Sequence, residues 1–221
     1  MHRHVLCVMP HPDDETLSSG GTLATYASQG IPVTYACGTL GQLGRNMGKP
    51  LFANRETLPV LREQELREAC RILGVNLRLM GLRDKTLEFM NPDVLTAQVS
   101  ALIDELKPTL LVTYHPLYGV HPDHCALGAA VVRAVAAMPP EARPPIHTRA
   151  FGSGLSKLGE PDIVMDIRPV LDVKMAAIRA HRSQTQAMLA EMEKRLAEDP
   201  AAKEQAEAQR TREPFWIYQI E

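Results

Sequence analysis

His4-Val-Leu-Cys-Val-Met9, followed at once by Pro10-His-Pro-Asp-Asp-Glu15, is an apolar run that ends in one histidine and three acids within five positions. The run is short and uncharged, and proline follows it, so it reads as a buried strand. Its acids gain nothing from being crowded, because each carboxylate raises the pKa of its neighbours. A divalent cation removes that conflict. It takes the imidazole and one carboxylate and leaves another carboxylate free to handle protons.

Working outward, the signals alternate. Residues Thr16–Gln29 read as a helix stopped by Gly30, with Pro32 just beyond it. Val33–Cys37 reads as a second strand, and Gly38–Asn54 as a glycine-rich loop carrying Arg45 and Lys49. The spacing of Leu66, Ala69, Cys70 and Leu73 predicts a helix over Glu56–Leu73, closed by Gly74. Leu77–Met80 is a third strand, and a polar turn with Arg83, Asp84 and Lys85 follows it. Pro92–Leu106 is an amphipathic helix ended by Pro108, and Leu110–Tyr114 is a fourth strand. That strand runs into a second polar cluster, His115-Pro-Leu-Tyr-Gly-Val-His-Pro-Asp-His124, before a helix over Ala126–Met138. Strand–helix alternation with short links predicts an α/β chain with a parallel sheet covered on both faces. Sites in such sheets form outside the carboxyl ends of the strands, where both His/Asp clusters fall.

Past residue 145 the pattern is weaker. Ile146–Phe151 and Ile163–Met165 are expected strands, and Val170–Met188 an expected helix carrying His181-Arg-Ser-Gln184. Residues 189–213 are charged, with no continuous apolar stripe, and read as a solvated helix or mobile segment broken at Pro200. Phe215–Ile220 alternates like an edge strand. Residues 1–221 are expected to form a single domain.

Bulk composition excludes several classes of function. The 221 residues are 45% hydrophobic and 23% charged with net charge −2, which gives no electrostatic case for nucleic acid or an anionic membrane. Aromatics at 5% argue against a stacking platform for single strands. No apolar run reaches membrane-spanning length and no leader pattern is present, so the expectation is a cytoplasmic protein acting on a small molecule. Cys7, Cys37, Cys70 and Cys125 form no Cys-x-x-Cys pair and read as packing residues.

Zinc catalysis needs three protein ligands and an open position for water. His11 and Asp14 offer two ligands and His124 the third, from the end of the fourth strand. Asp13, beside a ligand, suits a general base. His121 suits stabilisation of an oxyanion or protonation of a leaving nitrogen. Glu15 suits the orientation of a ligand. The same two imidazoles and carboxylate also suit ferrous iron.

His11-Pro-Asp-Asp-Glu15 together with His121-Pro-Asp-His124 resembles the PIG-L/LmbE-like family of zinc-dependent N-deacetylases. The resemblance implies a Rossmann-like, mostly parallel sheet with the active site at the C-terminal strand ends. It also implies His11, Asp14 and His124 as zinc ligands, Asp13 as base and His121 on the oxyanion side. Gly38-Thr-Leu-Gly-Gln-Leu-Gly-Arg-Asn-Met-Gly48, Asn54-Arg-Glu56, Asp84-Lys-Thr-Leu-Glu88 and His181-Arg-Ser-Gln184 are similar to the bacillithiol-pathway deacetylases. For that subfamily the resemblance implies deacetylation of N-acetylglucosaminyl malate, and relatives are often multimeric, so a homo-oligomer is expected. Arg55 suits a malate carboxylate, Asp84 suits sugar hydroxyls, and Tyr118 suits contact with the substrate. Relatives acting on mycothiol precursors carry tyrosine two residues before the first histidine of His-Pro-Asp-His. Here that position is Gly119, and Tyr118 stands one further back.

Plainer readings stand beside these. Arg55 also suits a surface pair with Glu56 or Glu63, and Asp84 a cap on the turn at Thr86. Lys49 is not a Walker lysine, since the Gly-Lys-Ser/Thr ending is absent. His2, His4 and His147 read as structural or solvent-exposed. The rival functions are an amidase on bacillithiol conjugates, a deacetylase of chitin-type sugars and a metal-binding protein without turnover. Two-metal phosphoester hydrolysis needs more ligands than the sequence offers.

Overall fold

The computed structural model describes residues 2–198 and 210–220. Parallel strands β1 (Val5–Met9), β2 (Val33–Thr39), β3 (Asn76–Leu82), β4 (Leu110–Tyr114) and β5 (Ile146–Arg149) form most of one sheet. The strands β6 (Ile163–Asp166) and β7 (Arg212–Ile217) complete it, with β7 antiparallel to both β5 and β6. The spatial order is β3-β2-β1-β4-β5-β7-β6. Val5 therefore pairs with Val33 on one side and with Leu110 on the other. The order of the strands reverses between β1 and β4, and a parallel sheet opens a crevice at the carboxyl ends of such a pair.

Helices cover both faces because the inner strands alternate apolar side chains to each. Val5, Cys7 and Met9 join Val112 and Tyr114 in one core. Against it pack α1 (Asp14–Ser28), α2 (Leu58–Leu73) and, beyond β6, α6 (Leu171–Ala180), through Leu23, Leu66, Leu73 and Ala177. Leu6, Val8 and Leu111 face a second core under α3 (Pro92–Leu106) and α4 (Pro122–Ala136), filled by Leu95, Val99, Leu127 and Val131. Burial of each such side chain contributes about 1.5–3 kcal/mol. The short α5 (Leu155–Leu158) precedes β6, and α7 (Arg182–Glu198) follows α6. Cys7, Cys37 and Cys70 are buried free thiols, and Cys125 is half-buried.

Four expectations are corrected. The fourth helix starts at Pro122, not Ala126, because Pro122 occupies its first turn and the His121 side chain caps it by accepting the Asp123 N–H. His124 therefore sits on a helix and not on a strand end. The second helix starts at Leu58, because the Asn54 side chain holds a turn by accepting the N–H groups of Glu56 and Thr57. The helix expected over Val170–Met188 is two helices, α6 and α7, divided at His181. The last strand is interior, between β5 and β6, which explains why Phe215 and Trp216 are both buried. Of the charged segment 189–213, α7 extends through Glu198 and residues 199–209 lie outside the described residues.

Candidate metal centre

The turn after β1 carries the cluster. Asp13 caps α1 in the left-handed region, with φ 102° and ψ −23°, which is a costly conformation for a residue with a side chain. Its carbonyl accepts from the Leu17 N–H at 2.9 Å and the Thr16 hydroxyl at 2.9 Å. Glu15 Oε2 accepts its N–H at 3.0 Å. The turn so formed directs His11 and Asp14 into the crevice beside the first turn of α4.

His11 Nδ1 lies 3.2 Å from His124 Nε2 and 3.4 Å from Asp14 Oδ2, and His124 Nε2 lies 3.3 Å from Asp14 Oδ1. The tautomers follow from the remaining partners. His124 Nδ1 donates to the Gly119 carbonyl at 2.8 Å, which leaves a lone pair on Nε2. His11 Nε2 lies 3.3 Å from both Asp84 Oδ1 and Asp123 Oδ2, so it carries the hydrogen and Nδ1 presents a lone pair. Two nitrogen lone pairs and a carboxylate at this spacing repel one another unless a cation sits among them. Tetrahedral zinc, with bonds of about 2.0–2.2 Å, spaces its ligand atoms about 3.3–3.5 Å apart. The donor set fits. Burial alone would lower His11, but Asp123, Asp14 and Asp84 outweigh it and push the imidazole up to about 11.

Two further groups of donors lie close together, His11 with His121 and His124, and His11 with Asp84 and Asp123. The carboxylates of the second group are held by backbone N–H groups. Asp84 Oδ2 accepts the Leu43 N–H at 2.8 Å, and Asp123 accepts the N–H groups of Lys85 and Leu87 at 2.7 and 3.0 Å. These two carboxylates orient His11 from behind. Asp14 is fixed as well, by the His11 N–H and the Tyr114 hydroxyl, each at 2.8 Å. Burial opposes its charge, but His124 and His11 hold its carboxyl well below the usual range.

Asp13 takes no part in that triangle. Burial pushes it up to about 6, against the pull of Arg62, whose Nη2 lies 3.2 Å from Asp13 Oδ2, and with the repulsion of Asp14 added. His121 accepts at Nδ1, so its neutral ring carries a hydrogen on Nε2. Burial, then His11 and His124, lower its pKa and favour that neutral form. Its ring centroid lies 4.9 Å from that of His11.

The expected substrate residues are placed differently from one another. Asp84 is buried, with both oxygens engaged inside the protein, and the Thr86 hydroxyl bonds to the Arg83 carbonyl instead. Tyr118 is half-buried and stacks on His115 with centroids 4.7 Å apart. Arg55 is exposed in the loop before α2, without a hydrogen bond or ion pair to the cluster. A β-carbon on Gly119 would come within 2.8 Å of His124 Cβ, so a side chain there would displace His124.

Three residues went unread in the sequence. Asp123 supports His11, and its only signal was that the second His-Pro-Asp repeats the first. Tyr114 stacks on His124 at 3.9 Å and bonds Asp14, but it reads as an ordinary strand residue. Arg62 lies on the buried face of α2 and donates to the carbonyls of Pro12 and Gly41 at 2.5 and 3.1 Å as well as meeting Asp13. A charge at a core-facing helix position was the available clue.

Known proteins share this arrangement of sequence and fold. The profile of the PIG-L family, GlcNAc-PI de-N-acetylase, matches residues 6–135. The chain is 50% identical over 223 residues to a probable N-acetyl-alpha-D-glucosaminyl L-malate deacetylase 2 of Bacillus cereus, covering 100% of both chains. It is 52% identical over 198 residues to the Bacillus subtilis protein of that name, covering 89% of this chain and 90% of that one. Its fold is similar to that of N,N'-diacetylchitobiose deacetylase from Pyrococcus horikoshii. The TM-score is 0.74 at 26% identity, over 98% of this chain and 84% of that one. The chain belongs to the PIG-L family of GlcNAc-PI de-N-acetylases.

Proposed function

We propose that this chain is a metal-dependent hydrolase that removes the acetyl group from N-acetylglucosaminyl malate. The observation that carries the chemistry is the convergence of His11 Nδ1, Asp14 and His124 Nε2, with the half-buried Asp13 carboxylate outside that triangle and paired with Arg62. The substrate is supported by the names of the two Bacillus relatives, which align over most or all of the chain.

His11, Asp14 and His124 would hold zinc, and the same ligands would accept ferrous iron. When bound, the metal supplies Lewis acidity and lowers the pKa of a water toward ~7. Asp13, whose carboxyl is pushed up by burial, takes the proton of the attacking water. The Nε2–H of His121 donates to the oxygen of the acetyl group as negative charge develops there. Asp13 then passes its proton to the glucosamine nitrogen, which leaves as the amine while the acetyl group departs as acetate. Arg62 holds Asp13 in place through its carboxylate and the Pro12 carbonyl. In this reading Arg55 pairs with a malate carboxylate and Tyr118 contacts the sugar. No helix among the described residues is long and apolar enough to cross a membrane. The reading includes a cytoplasmic, homo-oligomeric enzyme.

The likeness to the chitobiose deacetylase favours a second substrate class, chitin-type sugars. Acetate release separates the two. The zinc-loaded chain is expected to show the higher kcat/KM on N-acetylglucosaminyl malate, and Asp13→Asn is expected to lose roughly 10²–10⁴-fold in kcat. Equal or better turnover of diacetylchitobiose would move the substrate assignment. Full turnover by Asp13→Asn would remove the mechanism.

A further inference from the structure

His181 is fully buried where α6 meets α7, and no step above uses it. Its own backbone builds the joint. The His181 N–H donates to the Ile178 carbonyl at 3.2 Å, ending α6, and its carbonyl accepts from Gln184 and Thr185 at 2.9 Å, starting α7. The Thr185 hydroxyl donates to the carbonyls of Ile178 and His181 at 2.8 and 3.0 Å. The break therefore satisfies the groups that it interrupts, and it turns the imidazole inward.

There, His181 Nε2 lies 2.6 Å from Glu15 Oε1, and the other oxygen of Glu15 accepts the Asp13 N–H at 3.0 Å. His181 Nδ1 has no hydrogen-bond partner among the described residues, so the contact with Glu15 alone anchors the ring. The neighbouring residues fix the joint from two sides. The N–H and hydroxyl of Ser183 donate to Glu65 of α2 at 2.7 and 2.6 Å. Gln184 and Asn46 of the glycine-rich loop exchange side-chain-to-carbonyl bonds at 3.0 and 3.4 Å. The His181-Arg-Ser-Gln184 string thus ties α2, the loop and the turn after β1 to one point.

We propose that His181 is a positioning residue for Asp13. Through Glu15 it fixes the left-handed turn that aims the Asp13 carboxylate at the metal cluster. A backbone held in that region persists only where its surroundings over-determine it, and the Glu15 bond to the Asp13 N–H supplies that restraint. The inference rests on the reading of Asp13 as general base.

The test is a double-mutant cycle on the zinc-loaded full chain, with acetate release from N-acetylglucosaminyl malate as the readout. In His181→Leu, kcat is expected to fall roughly 10- to 100-fold while KM and zinc content hold. His181→Gln, whose amide reaches the Nε2 position, is expected to recover most of the loss. Added to Asp13→Asn, His181→Leu is expected to change the residual rate less than about twofold, because the group it positions is already disabled. Losses that multiply in the double variant would overturn the inference, as would a rise in KM or a loss of zinc affinity in step with the fall in kcat. If His181→Leu does not fold, His181→Asn, too short to reach Glu15, runs the same cycle. Full turnover by Asp13→Asn alone would remove the base assignment, and this inference with it, in an arm of its own.

Discussion

His11 has acids at both ring nitrogens, and the two sides differ in that Nδ1 also faces the ring nitrogen of His124. Behind Nε2, Asp84 and Asp123 are occupied by backbone N–H groups of Leu43, Lys85 and Leu87. In front of Nδ1, Asp14 holds the His11 N–H and the Tyr114 hydroxyl, and His124 adds an unshared pair on Nε2. Asp84→Asn is therefore expected to weaken zinc binding roughly 10- to 100-fold without abolishing it, as measured by competition with a chromogenic chelator. Complete loss of binding would place the metal on the other side of the ring. That His11, Asp14 and His124 converge was legible in the sequence because their residue types and His-Pro-Asp spacing have few structural uses. Asp123, Tyr114 and Arg62 were not, since each acts through a partner between 36 and 112 positions away that only folding brings near. Asp84 was singled out for sugar hydroxyls, but spends its oxygens on His11 and the glycine-rich loop.

Helix α4 carries His124 in its first turn, and its seating on β4 sets where that imidazole lies. The seat is Gly128, one turn further along, where a β-carbon would come within 2.2 Å of the Tyr114 carbonyl oxygen. Backbone does not yield as a side-chain tip does, so Gly128→Ala must lift the helix. Such overpacking costs about 1–3 kcal/mol. Thermal unfolding is expected to show a lower Tm for Gly128→Ala, and zinc titration a lower affinity, because His124 moves with the helix. An unchanged affinity would show that α4 can shift without disturbing the cluster. Element boundaries were legible where glycine or proline marks a stop, as at Gly74, and for α3, read in full as Pro92–Leu106. They were misread where the signal is ambiguous. Pro122 suits the first turn of a helix as well as a loop, and a histidine cap is not among the usual capping residues. The break at His181 involves neither glycine nor proline, and the Glu15 carboxylate that its ring meets is 166 positions away.

The reversal of strand order between β1 and β4 brings together histidines 113 positions apart, and the two polar clusters become one site there. Alternation of strands and helices was enough to predict the parallel sheet and the strand ends that matter. It did not place β7, because an antiparallel strand inserted between β5 and β6 leaves the same alternating pattern as an edge. A cation bridging the turn after β1 and the start of α4 links two sequence-distant parts of the molecule, so its binding is expected to stabilise the whole fold. At a free zinc concentration 100 times Kd the gain is about 2.7 kcal/mol. In a chain of this size that is a rise in Tm of about 5–10 °C. The rise is expected to vanish in His124→Ala, and its persistence there would mean that the metal binds elsewhere. Diffraction from a zinc-loaded crystal, with anomalous differences collected on either side of the zinc edge, tests the central claim most directly. The expected result is one peak within bonding distance of His11 Nδ1, an Asp14 oxygen and His124 Nε2, with the Asp13 carboxylate unbound beside it. A peak against His11 Nε2, Asp84 and Asp123, or ligation by Asp13 itself, would contradict the account.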